Sequence, residues 1–129
     1  MYNEKVMDIF KEAKNAGIIR GASGVGTAGN ASCGDIMKIY LKVEGDIIKE
    51  AKFKTFGCVA AIASSDVACD LIMGKTIEAA LKVTNKDVLD VLGKVPAQKV
   101  HCSVLAKEAI HDAVADFKKR QAKEAKKKK

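Results

Sequence analysis

The alternation of apolar and polar residues across positions 36–56 constrains the fold of this chain more than any other feature. In each half of the segment, most alternate positions carry a residue that suits the buried face of a sheet. These are Met37, Ile39, Leu41 and Val43 in the first half, and Ile47, Ala51, Phe53 and Thr55 in the second. A two-residue period is typical of a β-strand with one buried face. Because the turn-forming residues Glu44, Gly45 and Asp46 separate the halves, we predict a β-hairpin with strands 36–43 and 47–56.

Helical patterns occupy much of the remaining chain. Residues 4–16 carry apolar side chains at helical spacing, and residues 58–73 form a run of small and apolar residues that Gly74 would end. Thr76 can cap a short helix over 77–82, and Thr84 with Asp87 resembles a capping box for another helix, closed by Gly93. A long helix is predicted from Ser103 toward the C-terminus.

The order of these elements predicts the fold class. Strands precede most of the helices, and a short strand around 25–28 is expected within the Gly-rich, mostly loop-like segment 17–34. Such an order is typical of α+β domains. We therefore predict a small antiparallel sheet of about three strands, packed against several helices that include a long C-terminal one.

The net charge of +7 is concentrated in one short segment. Residues 118–129 hold eight Lys or Arg and one Glu, whereas the preceding 117 residues hold 15 basic and 15 acidic side chains. We therefore predict a nearly neutral domain over 1–117 and a basic tail over 118–129, expected to be a solvated helix end. A nucleic-acid partner is not expected, because such domains spread basic charge over a face or groove.

The chain has neither a long apolar run for a membrane span nor an apolar signal-peptide core. A cytoplasmic location without membrane association is therefore expected, in a compartment where thiols stay reduced. Hydrophobic residues make up 48% of the chain, enough for a core that needs no disulfides. Four cysteines in such a protein point to metal binding or thiol chemistry.

The hairpin predicts that two cysteines lie near each other. Cys33 precedes Gly45 by twelve residues and Cys58 follows it by thirteen. Because antiparallel strands run back along each other, both thiols should lie in loops at the same end of the sheet. Cys58 and Cys102 each begin a predicted helix, where the partial positive charge favours thiolate.

Asp35 follows Cys33 closely, and His101 precedes Cys102 directly. If the start of the last helix packs near the other two loops, three thiolates and an oxygen or nitrogen ligand come together. Such a set suits zinc or an iron–sulfur cluster. The sequence leaves this third convergence open, and no pair of cysteines has C-x-x-C spacing.

Each candidate also has a structural interpretation. Cys58 and Cys102 could be packed helix starts, Asp35 a turn or capping residue, and His101 a partly buried histidine. We interpret Cys69, which lies among apolar residues in the middle of a predicted helix, as a core residue. The Gly-rich segment 21–29 lacks the context and the ending of a phosphate-binding loop.

Several motifs resemble those of the U-type iron–sulfur scaffold proteins, which comprise IscU and the N-terminal domain of NifU. They are CGD at 33–35, FKTFGCVAAIASS at 53–65, GKT at 74–76 and KVHCSVLAKEAI at 99–110. The similarity extends to about residue 117, and the order and separation of the motifs make it specific. The resemblance implies a small antiparallel sheet with helices packed on it, in agreement with the predicted hairpin.

The resemblance implies a role for each candidate. Cys33, Cys58 and Cys102 match the cysteines that receive sulfur and hold a nascent cluster, usually [2Fe–2S]. Asp35 matches an acidic ligand that keeps the cluster labile, and His101 matches an alternative ligand. Lys99 matches a basic residue close to the site, and Zn²⁺ often occupies the same site.

The same resemblance implies partners and a mechanism. A cysteine desulfurase would donate sulfur, with Cys102 as the acceptor that the resemblance implies. A ferredoxin-type reductant would supply electrons, and apo iron–sulfur proteins would be the clients. The cluster would be assembled from Fe²⁺ and sulfur on exposed ligands, without the protein acting as an enzyme. The family's chaperone-docking LPPVK is VPAQK here at 95–99, which leaves recognition by an Hsp70-type chaperone doubtful.

Three other functions remain open at this point. The first is a zinc-bound sulfurtransferase that accepts persulfide sulfur from a cysteine desulfurase. The second is a stable iron–sulfur electron carrier, and the third is an interaction module that acts through its basic tail. Tightly held zinc, reversible redox behaviour or full activity without the cysteines would distinguish them.

Overall fold

The computed structural model describes residues 4–30, 35–57, 59–93 and 101–127, apart from the side chains of residues 30, 35, 101 and 124–127. The elements in chain order are α1 (Glu4–Glu12), β1 (Gly24–Asn30), β2 (Asp35–Glu44), β3 (Ile47–Phe56), α2 (Val59–Ile72), α3 (Ile77–Leu81), α4 (Asn85–Leu92) and α5 (His101–Lys127). The three strands form an antiparallel sheet in the order β1-β2-β3. The predicted α+β class and the long C-terminal helix are confirmed.

The predicted hairpin is present, but its second strand differs in register near the turn. Ile48 is fully buried, whereas Ile47, which was expected on the buried face, is only half-buried. A β-bulge causes the difference, because Val43 pairs with Ile48 while Lys42 pairs with Glu50. The extra residue, Lys49, shifts the alternation by one position between the turn and the rest of β3.

One face of the sheet forms the core with α2 and α5. Met37, Ile39, Leu41 and Phe53 are buried on this face, and both helices contact the sheet. Helix α2 is buried almost all round, consistent with its small and apolar composition. Its position between the sheet, α1, α4 and α5 makes it the central element of the domain.

Helix α5 lies along the edge strand β1, and two glycines permit this close approach. A Cβ atom at Gly26 would lie 2.1 Å from the backbone nitrogen of Ala113, and one at Gly24 would lie 2.5 Å from its carbonyl oxygen. The helix also satisfies the free edge of the sheet. Asp112 and Asp116 each accept a hydrogen bond of 2.8 Å from a backbone N–H of β1.

Helix α1 ends four residues earlier than predicted. Ala13 donates its backbone N–H to the carbonyl of Ile9 but has a left-handed φ of 37°, which ends the helix. The following residues pair with the edge of β3, where Phe53 donates its N–H to Asn15 and accepts from Gly17. This segment therefore covers the second edge of the sheet.

The helix caps agree with the sequence prediction, whereas two other boundaries differ from it. Thr76 caps α3 and Thr84 forms a full capping box with Asp87, as predicted. Strand β1 is longer than the predicted 25–28, and α5 begins at His101 rather than Ser103. None of the described helices combines the length and the apolar content that crossing a bilayer requires.

Candidate functional site

At one end of the sheet, strands β1 and β3 end and strand β2 begins. Strand β1 ends at Asn30, whose register partner is Asp35, the first residue of β2. The next residue, Ile36, is paired with Phe56, the last residue of β3. This end lies opposite the hairpin turn, and the segments that carry the predicted ligands leave the sheet here.

Cys33 and Cys58 themselves lie outside the described residues. Along the chain, Cys33 belongs to the link 31–34 between the paired residues Asn30 and Asp35. Cys58 stands between the end of β3 and the start of α2. The described residues that flank the two cysteines therefore lie at the same end of the sheet, while the positions of the two thiols stay a prediction.

Cys102 links the last helix to this region. It is fully buried and forms a small cluster with Ala60 and Ala61, separate from the main core. These alanines lie in the first turn of α2, directly after Cys58. The start of α5 thus packs against the start of α2, which is the convergence that the sequence left open. Two helix N-termini lie side by side, and their partial positive charges favour anions and thiolates.

The burial of Cys102 differs from the exposed ligands that were expected. Its side chain has 0% exposure, and the described side chains of its cluster are those of Ala60 and Ala61. A reaction at the Cys102 sulfur therefore requires a local opening around this conformation.

The other candidates are placed by the backbone alone. Asp35 is the first residue of β2 and His101 the first residue of α5, while Lys99 lies outside the described residues. Among the residues whose side chains are described, no group of three or more His, Cys, Asp or Glu could hold a metal ion. The ligand set of Cys33, Asp35, Cys58, His101 and Cys102 therefore stays a prediction.

Exposed apolar side chains surround this end of the molecule. Phe56 is 64% exposed, Ile36 38% and Val104 37%. Each lies within two residues of a predicted ligand in the sequence. Beside them, an open cleft of about 500 Å³ is lined by Thr27, Ala28, Gly29, Ile36, Glu108 and Asp112. An apolar rim of this kind is typical of a surface that contacts other proteins.

Cys69 is a core residue, as predicted. It is fully buried within the main cluster on α2. Burial raises the pKa of its thiol well above the ordinary value, and the nearby carboxyls of Asp66 and Asp70 raise it further. This cysteine is therefore held as an unreactive thiol and serves as an internal control for the others.

Comparison with known proteins identifies the family. A sequence model described as "NifU-like N terminal domain" matches residues 1–124. The chain belongs to the NifU-like N-terminal domain family. Iron-sulfur cluster assembly scaffold protein IscU 1 of Archaeoglobus fulgidus is 50% identical over 123 residues, which is 95% of this chain and 80% of that protein. Iron-sulfur cluster assembly scaffold protein IscU of Aquifex aeolicus is 45% identical, with 93% and 78% covered.

A solved structure supports the same family. A proposed iron–sulfur cluster assembly scaffold protein for the SUF system from Fervidobacterium islandicum superposes with a TM-score of 0.75 at 28% identity. The match covers 88% of this chain and 96% of that one. The predicted resemblance to the IscU and NifU scaffolds is thus confirmed.

A buried polar network, which the sequence did not predict, joins α1 to α2 in this family member. The backbone N–H of Asn15 donates to Oδ1 of Asp66 at 2.9 Å, and its side-chain amide donates to the Asp66 carbonyl and to Asp70. Lys14 adds an ion pair with Asp70 at 3.0 Å. The network holds the segment directly after α1 against α2. In the sequence, the only sign of this network is the pair of acidic residues within the otherwise apolar helix α2.

Asp66→Asn is expected to remove a destabilising charge while preserving this network. Burial raises the pKa of Asp66, so its ionised form is disfavoured in the fold. The contribution of Asp66 to the free energy of unfolding should therefore be highest below the carboxyl's unfolded pKa and fall as pH rises through the folded pKa. In urea unfolding from acidic to neutral pH, Asp66→Asn should lack this contribution, because an amide does not titrate, and its amide oxygen can still accept from Asn15.

Asp66→Ala provides the matched comparison. It removes the acceptor and leaves the buried N–H of Asn15 without that partner, so it should be less stable than Asp66→Asn by about 1–3 kcal/mol at every pH. Equal stabilities of the Asn and Ala variants at neutral pH would contradict this role of Asp66.

Proposed function

We infer that this protein is a scaffold on which an iron–sulfur cluster is assembled and from which it is passed to apo-proteins. The main support is the match to relatives named as cluster assembly scaffolds across 95% of the chain. The geometry is consistent with this function, because the ends of the strands and the starts of α2 and α5 lie in the same region. More specifically, we propose that the cluster is a [2Fe–2S] cluster and that it is assembled in the cytoplasm from Fe²⁺ and desulfurase-derived sulfur.

The proposed ligands are the residues carried by these converging segments. Cys33, Cys58 and Cys102 supply thiolates and Asp35 an oxygen, with His101 as an alternative ligand. The adjacent N-termini of α2 and α5 support the thiolate forms of the cysteines near them. Zn²⁺ suits the same mixture of sulfur, nitrogen and oxygen ligands and is expected to compete with iron there.

Cys102 is the proposed acceptor of sulfur. Its thiolate attacks the outer sulfur of a persulfide on a cysteine desulfurase, so that a new S–S bond forms and the desulfurase thiolate leaves. A ferredoxin-type reductant then supplies two electrons for each sulfane sulfur that becomes sulfide. Apo iron–sulfur proteins are the proposed clients, and the apolar rim of Ile36, Phe56 and Val104 offers a contact surface for these partners.

A zinc-bound sulfurtransferase is less well supported, because the two IscU relatives named above carry scaffold names. The two functions differ in what accumulates on the protein. A scaffold gains iron and sulfide together, whereas a sulfurtransferase retains zinc and forms only a persulfide.

The test is anaerobic cluster assembly with ferrous iron, cysteine, a reductant and a cysteine desulfurase. Bound iron and acid-labile sulfide are expected to appear in equal amounts and to move to an apo-ferredoxin. Single Ala variants of Cys33, Cys58 and Cys102 should lose most of both, since each removes a thiolate ligand. Cys69→Ala is the control and should retain them, because Cys69 lies in the core.

Two outcomes would contradict the scaffold function. One is tightly bound zinc without sulfide incorporation, which would favour the sulfurtransferase. The other is normal assembly in all three variants. Circular dichroism of each variant separates the loss of a ligand from the loss of the fold.

Asp35→Ala is expected to slow cluster transfer to an apo-ferredoxin by about tenfold. A carboxylate oxygen is a harder and weaker ligand for cluster iron than a thiolate, so it keeps the cluster labile. After it has been loaded with a cluster, the Asp35→Ala variant should retain its visible absorption. The visible absorption of the ferredoxin that accepts the cluster should appear slowly. A rate equal to that of the wild type would exclude this role, and Asp46→Ala, at the opposite hairpin end, is the control.

A further inference from the structure

The outward face of the sheet carries an unusual concentration of lysines. Four lysines point away from the core on β2 and β3, together with two aromatic rings and an isoleucine. They form rows across the sheet through the pairs Ile36–Phe56, Lys38–Lys54, Tyr40–Lys52 and Lys42–Glu50. We call these eight residues the basic face.

A pair of facing lysines occupies the middle of the basic face. Lys38 and Lys54 are direct register partners, so their side chains leave the sheet on the same side. Their ammonium groups diverge, because that of Lys38 lies over Tyr40 in one neighbouring row and that of Lys54 lies over Phe56 in the other. Both positive charges are therefore displayed on the same outward face.

Aromatic rings hold the two lysines in place. The ammonium group of Lys38 lies 5.6 Å from the centre of the Tyr40 ring, and that of Lys54 lies 5.8 Å from the centre of the Phe56 ring. Such cation–π contacts restrict long, flexible side chains. The positive charges are thus presented in a partly ordered arrangement, which lowers the entropy cost of binding.

Among the eight residues of the basic face, the one carboxylate is Glu50, in the row nearest the hairpin turn. Asp35 and the cleft residues Glu108 and Asp112 lie outside the face, near its other end. Glu50 lies 3.7 Å from Lys52, and Glu44 lies next to the turn. At the other end, the rows of Ile36 with Phe56 and Lys38 with Lys54 contain only apolar and basic side chains. The positive end of the face is therefore the end from which the ligand-bearing segments leave the sheet.

We propose that the basic face is a docking site for a protein with an acidic surface. Lysines around an exposed aromatic ring complement clustered carboxylates with an apolar centre. A partner seated there would lie directly beside the segments that carry Cys33 and Cys58. A nucleic acid fits less well, because the lysines lie over the two rings on which bases would stack.

Binding of an acidic plant-type ferredoxin, used as a probe, tests this proposal without iron or sulfide. The result is therefore independent of cluster assembly. Amide chemical shifts of the ¹⁵N-labelled protein should change mainly in 36–42 and 50–56 on titration. The double variant K38E/K54E should weaken binding by at least about tenfold, and binding of the wild type should weaken as salt screens the charges.

Two further variants separate docking from a structural role. K82E/K86E makes the same change in charge on the exposed residues of the α3–α4 region and should leave the Kd within about twofold. K38Q/K54Q should weaken ferredoxin binding and leave the melting temperature nearly unchanged, because it removes two surface charges without adding acidic groups.

Three results would overturn the proposal. They are the absence of saturable shifts on the basic face, equal weakening of binding by K82E/K86E, and tighter binding of a poly-uridylate oligomer than of ferredoxin. The last result would identify the face as a nucleic-acid surface if the same amides of 36–42 and 50–56 shift with the oligomer, and would point to the basic tail 118–129 if they do not. Circular dichroism of each variant ensures that a loss of binding is not a loss of fold.

Discussion

Gly26→Ala is expected to destabilise the protein by about 3 kcal/mol or more, a large effect for one added methyl group. The new Cβ would lie 2.1 Å from the backbone nitrogen of Ala113 and 2.3 Å from the carbonyl oxygen of Ala109. Both atoms belong to the backbone of α5, so no side-chain rotation can relieve the overlap. The helix would have to move away from β1.

Movement of α5 also breaks the contacts on either side of Gly26. The N–H groups of Val25 and Thr27 donate to Asp116 and Asp112, and a displaced helix would leave them without these acceptors. Urea unfolding followed by circular dichroism measures the change. Because the helix carries Cys102 at its start, the variant should also take up less iron than its remaining folded fraction would predict.

Gly21→Ala is the matched control for this prediction. Gly21 has a left-handed φ of 70°, but a Cβ there would meet nothing within 4 Å. Its replacement should cost only about 1 kcal/mol of backbone strain. Similar losses in the two variants would show that the close approach of α5 to β1 is not the reason for the glycine at position 26.

The sequence predicted the hairpin well because its signals are local. Alternation and turn residues lie within one short segment, and the caps at Thr76 and Thr84 depend on residues three positions away. The bulge at Lys49 was missed because it breaks the alternation by one residue while leaving both strands apolar on the inside. Local patterns thus determine the elements but not every detail of their register.

The packing of α5 along β1 could not be predicted in the same way. It depends on glycines in β1 that meet alanines about 85 residues later, and on Asp112 bonding to Thr27 across the same separation. The end of α1 likewise depends on Asp66, 51 residues after Asn15. Such contacts follow from the tertiary structure, since no periodicity in the sequence specifies them.

The candidate site was predictable only in the part that depends on local sequence patterns. Hairpin geometry alone predicted that Cys33 and Cys58 belong to segments at one end of the sheet. The approach of Cys102 required the packing of two helix starts through Ala60 and Ala61, which the sequence indicated only through the resemblance to a known family. Burial of the Cys102 thiol agrees with the packed helix start that the sequence offered as an alternative, and differs from the exposed ligand that the proposed mechanism expects.

Cys102 is expected to react with iodoacetamide about 100-fold faster than Cys69 under native conditions, although both thiols are fully buried. Cys102 lies at the end of a helix, in a small cluster with two alanines. Separation of the helix starts would expose little apolar surface, so it costs little free energy. Cys69 lies in the main core, and burial further raises the pKa of its thiol.

Pulse labelling followed by peptide mass spectrometry measures both rates in one sample. Low concentrations of urea should accelerate the labelling of Cys69, which requires extensive unfolding, and hardly change that of Cys102, which requires only local opening. A Cys33→Ala/Cys58→Ala background prevents thiol exchange with the other two cysteines. Equal rates with the same urea dependence would mean that Cys102 becomes accessible only when the domain unfolds.

This difference in opening bears directly on the sulfur transfer proposed for Cys102. A persulfide donor can reach the Cys102 sulfur only in the open form, so the opening free energy limits the rate of transfer. A larger residue in place of Ala61 should wedge the helix starts apart and increase Cys102 labelling while leaving that of Cys69 nearly unchanged. If sulfur transfer from the desulfurase rises together with this labelling, local opening is the step that makes the buried cysteine an acceptor.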